Sequence, residues 1–149
     1  MPVTDRDNGY ARMIAALDAT GKIAVTIGIH SEEGGGDNGG RSVADIAEAN
    51  EFGLGVPARP FVSSWADEHG SAFVTRMRDE SALALKAGVS PAQRLDALAQ
   101  IGAGEIQARI AAGIDPPNAP ATIQKKGSST PLIDTGILRS SIRGKVGPK

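Results

Sequence analysis

One stretch constrains this chain more than any other: Lys22-Ile-Ala-Val-Thr-Ile-Gly-Ile-His30. Ile23, Val25, Ile27 and Ile29 are β-branched and alternate with smaller residues, which predicts a strand with one clear inward face. Almost everything after it reads as helix or loop. The partner the sequence offers is Arg143-Gly-Lys-Val146, close to the other end of the chain.

Between these two segments the apolar spacing is helical. Asn8–Thr20 carries Tyr10, Met13, Ile14 and Leu17 at i, i+3, i+4, i+7, with Asp7 or Asn8 to cap it and Gly21 to end it. Ser42–Glu51 has Ser42 as N-cap and Val43, Ile46, Ala47 and Asn50 on one side. A long helix is predicted from Pro60 to about Lys86, with Phe61, Val62, Trp65, His69, Phe73, Val74 and Met77 along it and Gly88 closing it. Ser90-Pro91-Ala92-Gln93 reads as a capping box with proline at N1, opening a helix that runs to Ala112 before Gly113. Leu95, Leu98, Gly102, Ile106 and Ile110 or Ala103 form its seam. Gly102 and Gly104 in mid-helix point either to close backbone approach or to a mild kink.

The connections are rich in helix breakers, with 19 glycines and 9 prolines in 149 residues. Ser31–Gly40 has five glycines in ten positions and is expected to be a mobile loop, without the oxygen-ligand spacing of a calcium loop or the Gly-Lys-Ser/Thr of a phosphate loop. Phe52-Gly-Leu-Gly-Val-Pro-Ala-Arg-Pro-Phe61 is an extended elbow held by Pro57 and Pro60, with Val56 and Phe61 as expected buried anchors. Asp115–Pro120 cannot be regular structure, Ala121–Lys125 suits one helical turn, and Lys125–Thr130 is expected to be a flexible basic loop. The length suits a single domain spanning 1–149.

The absence of cysteine excludes disulfides, thiolate metal sites and cysteine nucleophiles. No apolar run approaches the roughly 18 residues of a spanning helix, and the first residues lack a signal-like apolar core, so a soluble protein without membrane contact is expected. Net charge is −1, which argues against a simple nucleic-acid binder, but the charge is uneven. Residues 1–80 hold 7 basic and 13 acidic side chains, residues 81–149 hold 9 and 4. That distribution is either ordinary surface variation or a subunit with an acidic and a basic end, suited to stacking or to lining a path for DNA.

Candidate chemistry is sparse. Asp134-Thr135-Gly136, after Leu132 and Ile133, matches the catalytic tripeptide of aspartic proteases. Such a site needs two aspartates sharing a proton in a mostly β framework, and here the preceding chain is chiefly helical with only 13 residues after Gly136. The bland alternative is a cap, with Asp134 or Thr135 satisfying free N–H groups at the start of a short closing helix over Gly136–Ile142. On that reading Leu132, Ile133, Ile137, Leu138 and Ile142 tuck the tail onto the body. His30 and His69 have no metal-ligand or catalytic partner at a recognised spacing, and Glu48 and Glu51 read as an exposed helix face. Lys125 and Lys126 either touch phosphates or are solvated. No cofactor or metal is expected.

Two separated stretches together carry a resemblance. Phe52–Phe61 resembles the FG…(I/V)PARPF segment of tail-completion and virion-morphogenesis proteins of long-tailed bacteriophages. The second part of that pattern resembles Gly113-Ile-Asp-Pro116-Pro117-Asn-Ala-Pro120-Ala-Thr122-Ile123, then Lys126-Gly127-Ser128, then Pro131–Ile142. The match covers roughly residues 42–146 in order and departs at Leu54, where a small polar residue is expected. The resemblance implies an α+β fold, a small antiparallel sheet with helices packed on it. It implies a structural virion protein at the neck, forming a ring, commonly sixfold, between head connector and tail tube, with DNA passing through the lumen. A tail terminator or head-side adaptor is the nearest alternative. Under this resemblance Phe52, Gly53, Pro57, Pro60 and Phe61 fix a rigid elbow. Arg59 pairs with a carboxylate there or on a neighbour, so that Arg59→Ala leaves the subunit folded but impairs assembly. Pro131, Asp134, Thr135 and Gly136 form the closing clasp, and Lys125 and Lys126 are the candidate DNA-facing residues.

Overall fold

The strand at Ile23–Ile29 (β1) does pair with the far end of the chain. In a computed structural model that describes residues 10–30, 41–127, 129, 131–132 and 136–149, β1 lies antiparallel to β2, Ile142–Pro148. Ile29 faces Ile142 and Ile23 faces Pro148. The sheet has these two strands, and the fold is α+β and mostly helical. The helices are α1 Tyr10–Thr20, α2 Val43–Phe52, α3 Val62–Lys86, α4 Ala92–Ala112, α5 Pro120–Lys126 and α6 Ile137–Ser140. The Gly-rich stretch 31–40 and the residues before Tyr10 lie outside the described residues.

Helix α4 is the centre of the molecule. Leu95, Leu98, Ala99, Gly102, Ala103, Ile106 and Ile110 are all buried, as the seam read from sequence requires. One side of α4 meets α3 and another meets the sheet. Gly102 is the contact point for three elements: a Cβ there would stand 2.7 Å from Ile27 Cδ1 and 3.2 Å from both Phe73 and Trp65. Gly104 has open space around it, so of the two mid-helix glycines one marks close approach and the other does not. On the sheet side Gly144 of β2 sits directly on the carbonyl of Ala99, and any side chain would collide with it. Gln100 and Gln107, two turns apart on α4, donate to the carbonyls of Gly144 and Ile142 at 2.6 and 2.9 Å. These bonds satisfy β2 carbonyls that β1 leaves free.

Helix α3 packs on α4 through Trp65 and Phe73, whose rings meet edge-on at 5.4 Å, and the Trp65 Nε1–H donates to Glu105 at 2.8 Å. Two ion pairs cross the same interface, Arg109 with Glu68 through both oxygens at 2.6 Å and Arg94 with Glu80 at 2.6 Å. At this interface, side chains of the acidic half of the sequence meet side chains of the basic half. Val74 is 53% exposed, and His69 is also exposed, so neither belongs to the seam predicted for α3.

Several terminations follow the predicted chemistry and others do not. Ser42 caps α2 in a full capping box with Asp45, and Gly53 ends α2 in the left-handed conformation. The box predicted at Ser90 is only half made: Ser90 Oγ accepts from Ala92 N–H at 3.3 Å, and no return bond from Gln93 closes it. Pro60 stands just before α3 rather than in its first turn. Lys125 and Lys126 end α5 and are not loop, because Pro120 at N1 starts a helix that Gly127 closes with a left-handed φ. The closing helix α6 is a single turn of four residues. Leu132, Leu138 and Ile142 are buried as the clasp predicts, but Ile137 is 40% exposed.

Candidate functional site

The residues singled out at the elbow and in the Pro-rich stretch come together in one place. After Gly53, the chain from Leu54 to Pro60 returns along α2, and Arg59 N–H donates to Asn50 C=O at 2.6 Å. That turn directs the Arg59 side chain toward the segment after α4, where Arg59 Nε donates to Pro116 C=O at 2.8 Å and Nη2 to Pro117 C=O at 3.3 Å. Arg59 is 7% exposed. Its partners are backbone carbonyls and not the carboxylate expected from sequence. Prolines 116 and 117 give up no acceptor capacity by lacking N–H groups, so they present carbonyls to a forked donor with little competing structure. Replacing Arg59 would therefore remove two hydrogen bonds within the subunit, besides any effect on assembly.

The two aromatic residues of the elbow behave oppositely. Phe61 is fully buried in the core at 1% exposure, whereas Phe52 is 68% exposed. Val56, expected as an anchor, is 39% exposed, and Leu54 beside it is 56% exposed. The reason is geometric: Gly53 and Gly55 both take a left-handed φ of 74°, which swings Leu54 and Val56 outward around the α2 C-terminus. A Cβ at Gly53 would also press against Ala58 at about 3.1 Å, so the turn is tight as well as left-handed.

Glu51, read from sequence as part of an exposed helix face, is the residue that sequence reasoning missed. From the end of α2 its carboxylate accepts from the N–H groups of Phe61, Val62 and Ser63 at 2.8, 3.1 and 2.9 Å, and from the Ser63 hydroxyl at 2.5 Å. It caps α3 from another helix, where Phe61 at the N-cap position offers no side-chain acceptor. Partial burial works to raise its pKa. The hydrogen bonds from Ser63, Val62 and Phe61 outweigh that, and the group is held below its ordinary value of 4.5. The nearest signal in the sequence is a carboxylate just before the elbow, followed by a helix whose N-cap position holds Phe61 in place of Ser, Thr, Asp or Asn.

Beside this cap lies an apolar groove of about 350 Å³ between the Gly28–Ile29 end of β1, α2 and the start of α3, with Ala44, Ala47, Phe52 and Ile142 in its walls and Glu48 at its edge. A second cavity of about 360 Å³ lies where Arg59 clasps the Pro116 and Pro117 carbonyls, bounded by Arg59, Asn50, Asn118 and Thr122 together with Val56, Pro57, Pro116, Pro117 and Ala119.

The remaining candidates are not gathered here. Pro131 is buried, and Gly136 stands at the start of α6 with a φ of 78° and no side-chain cap. Asp134 and Thr135 lie outside the described residues, as do the side chains of Lys125 and Lys126. His30 bonds Thr26 at 2.9 Å at the end of β1, while His69 sits on α3 beside Glu68. Among the described residues no three His, Asp or Glu side chains are grouped to hold a metal ion, and no helix is long and apolar enough to cross a membrane. Comparison with protein-family models, curated proteins and solved structures gave no significant match.

Proposed function

We propose that this chain is a structural subunit of the head–tail neck of a tailed bacteriophage, one that assembles into a ring, sixfold in its simplest form. The ring joins the head connector to the tail tube and lets DNA pass through its lumen. The observation that supports this reading most is the Arg59 clasp. The PARPF elbow and the Pro-Pro stretch are far apart in sequence and are the two halves of the resemblance. In the fold they are one unit, tied by Arg59 to the carbonyls of Pro116 and Pro117. A second support is the exposed apolar run Phe52, Leu54 and Val56 on that unit, a surface whose burial between subunits is favourable. On this reading the elbow is a subunit contact, and Lys125 and Lys126, at the end of α5, belong to the face toward DNA.

The test is the assembly state. Native mass spectrometry and negative-stain images of the purified protein at micromolar concentration should show closed rings. Leu54→Asp, on a side chain already in solvent, should leave a folded protein that no longer closes them. A chain that stays monomeric across that range, alone and with purified connector or tail-tube protein, would overturn the proposal.

A further inference from the structure

We infer that the cavity at the clasp is a binding site for a carboxylate, held by the outer end of the Arg59 guanidinium. The inference does not rest on the neck reading, since it follows from the charge and geometry of one side chain. Arg59 is 7% exposed, and both of its side-chain partners are neutral carbonyls. The three ion pairs among the described residues, His69–Glu68, Arg94–Glu80 and Arg109–Glu68, do not include it. A cation this far from water without a counter-charge is costly, and carbonyl dipoles offset only part of that cost.

The fork is half used. Nε and Nη2 serve the carbonyls of Pro116 and Pro117, while Nη1 has no hydrogen bond to any of the described residues. That end is not sealed in protein: among the described residues the buried side-chain nitrogen or oxygen atom without a partner is His30 Nδ1. Arg59 lines the 360 Å³ cavity, which has room for a carboxyl group and the first atoms of its stem. Asn118, 8% exposed, also lines it, and among the described residues its amide nitrogen makes one long contact, 3.5 Å to Ser129 C=O. Thr122 adds a hydroxyl at the α5 end.

These features select a carboxylate over a phosphate. The flat Nη1–Nη2 end can meet two oxygens of a carboxylate or of a phosphate, so the choice falls to the walls and the charge around it. The prolines and Val56 give apolar walls that suit the stem of such a group. Among the described residues that line the cavity Arg59 is the one cation, whereas a phosphate chain is met by several. The carboxylate belongs either to a small free acid or to an acidic side chain of a second copy.

The test follows the arginine side-chain N–H resonances of the full-length protein by NMR. Sodium acetate is titrated against sodium chloride and sodium phosphate at matched ionic strength. The Arg59 signals should shift saturably with acetate, with a midpoint about tenfold lower than for chloride. Arg59→Lys, checked for fold by its backbone spectrum, should lose that selectivity. If this variant does not fold, the comparison of the three salts on the wild-type chain still decides. A dilution series without acetate separates the sources. Shifts that grow with protein concentration and reverse with acetate assign the group to a second copy. Shifts that need acetate at every concentration assign it to a free acid. An Arg59 that ignores acetate, answers chloride equally, or prefers phosphate overturns the inference.

Discussion

Replacing Arg59 with alanine removes two hydrogen bonds given by a charged donor in a nearly closed site, and bonds of that type contribute about 1.5–3 kcal/mol. We expect Arg59→Ala to lose about 2–3 kcal/mol in urea denaturation and to speed amide exchange around Ile114 and Asn118. A loss below about 0.5 kcal/mol would show that the clasp is not held by this side chain. The glycines of α4 and β2 give a sharper contrast. Gly102→Ala and Gly144→Ala should each cost about 1–3 kcal/mol or more by overpacking, with Gly144 the worse because its wall is backbone. Gly104→Ala should be neutral or stabilise by up to about 1 kcal/mol, since it adds helix propensity in open space. Thermal melts of the three variants check the order. In the sequence Gly102 and Gly104 look alike; only the positions of Ile27, Phe73 and Trp65 distinguish them, and none of those is a neighbour in the chain.

At the scale of elements, what could be read from the sequence was what is local. The α4 seam, the Ser42 cap and the αL glycine after α2 follow from spacing and residue type within one turn, and the structure has them. The start of α3 was illegible for the opposite reason: its cap comes from Glu51, ten residues before Phe61 and on another helix. The sign of its pH effect follows directly. The Glu51 pKa is lowered on folding, so its contribution is fully present above the ordinary value of 4.5 and is lost as the pH falls through the lower folded value. Glu68, lowered by the hydrogen bond and charge of Arg109, and Asp45, lowered by the hydroxyl and N–H of Ser42, act in the same direction. Stability should therefore decline as pH drops below about 4.5. Glu51→Ala should cost about 1–2 kcal/mol at neutral pH as a lost cap. Glu51→Gln should retain part of that and show a shallower acid limb in denaturation at pH 3 to 7. An unchanged acid limb would mean that the carboxylate charge is not what holds α3. The elbow was misread at Val56 because hydrophobicity alone does not report direction. Two left-handed glycines turn Leu54 and Val56 outward, and that requires knowing φ at both.

At the scale of the whole molecule, the acidic and basic halves of the sequence are linked where α3 meets α4. Arg109 with Glu68 and Arg94 with Glu80 tie them across one helix pair. Raised salt should weaken these two pairs, whose carboxylates are partly open to solvent, and thermal melts at about 0.05 and 1 M sodium chloride check it. The pairing of Ile29 with Ile142 has another consequence, one in time. The sheet joins the second regular element of the chain to the last one described, and Gly144 of β2 sits on α4 beside that pairing. Contacts of such sequence separation form late and slowly, since the loop they close must first be restrained. During synthesis α1 to α4 leave the ribosome with β1 still single and its edge open. Until the seven residues of β2 pair with β1, the face of α4 that they cover stays open, and the core is incomplete.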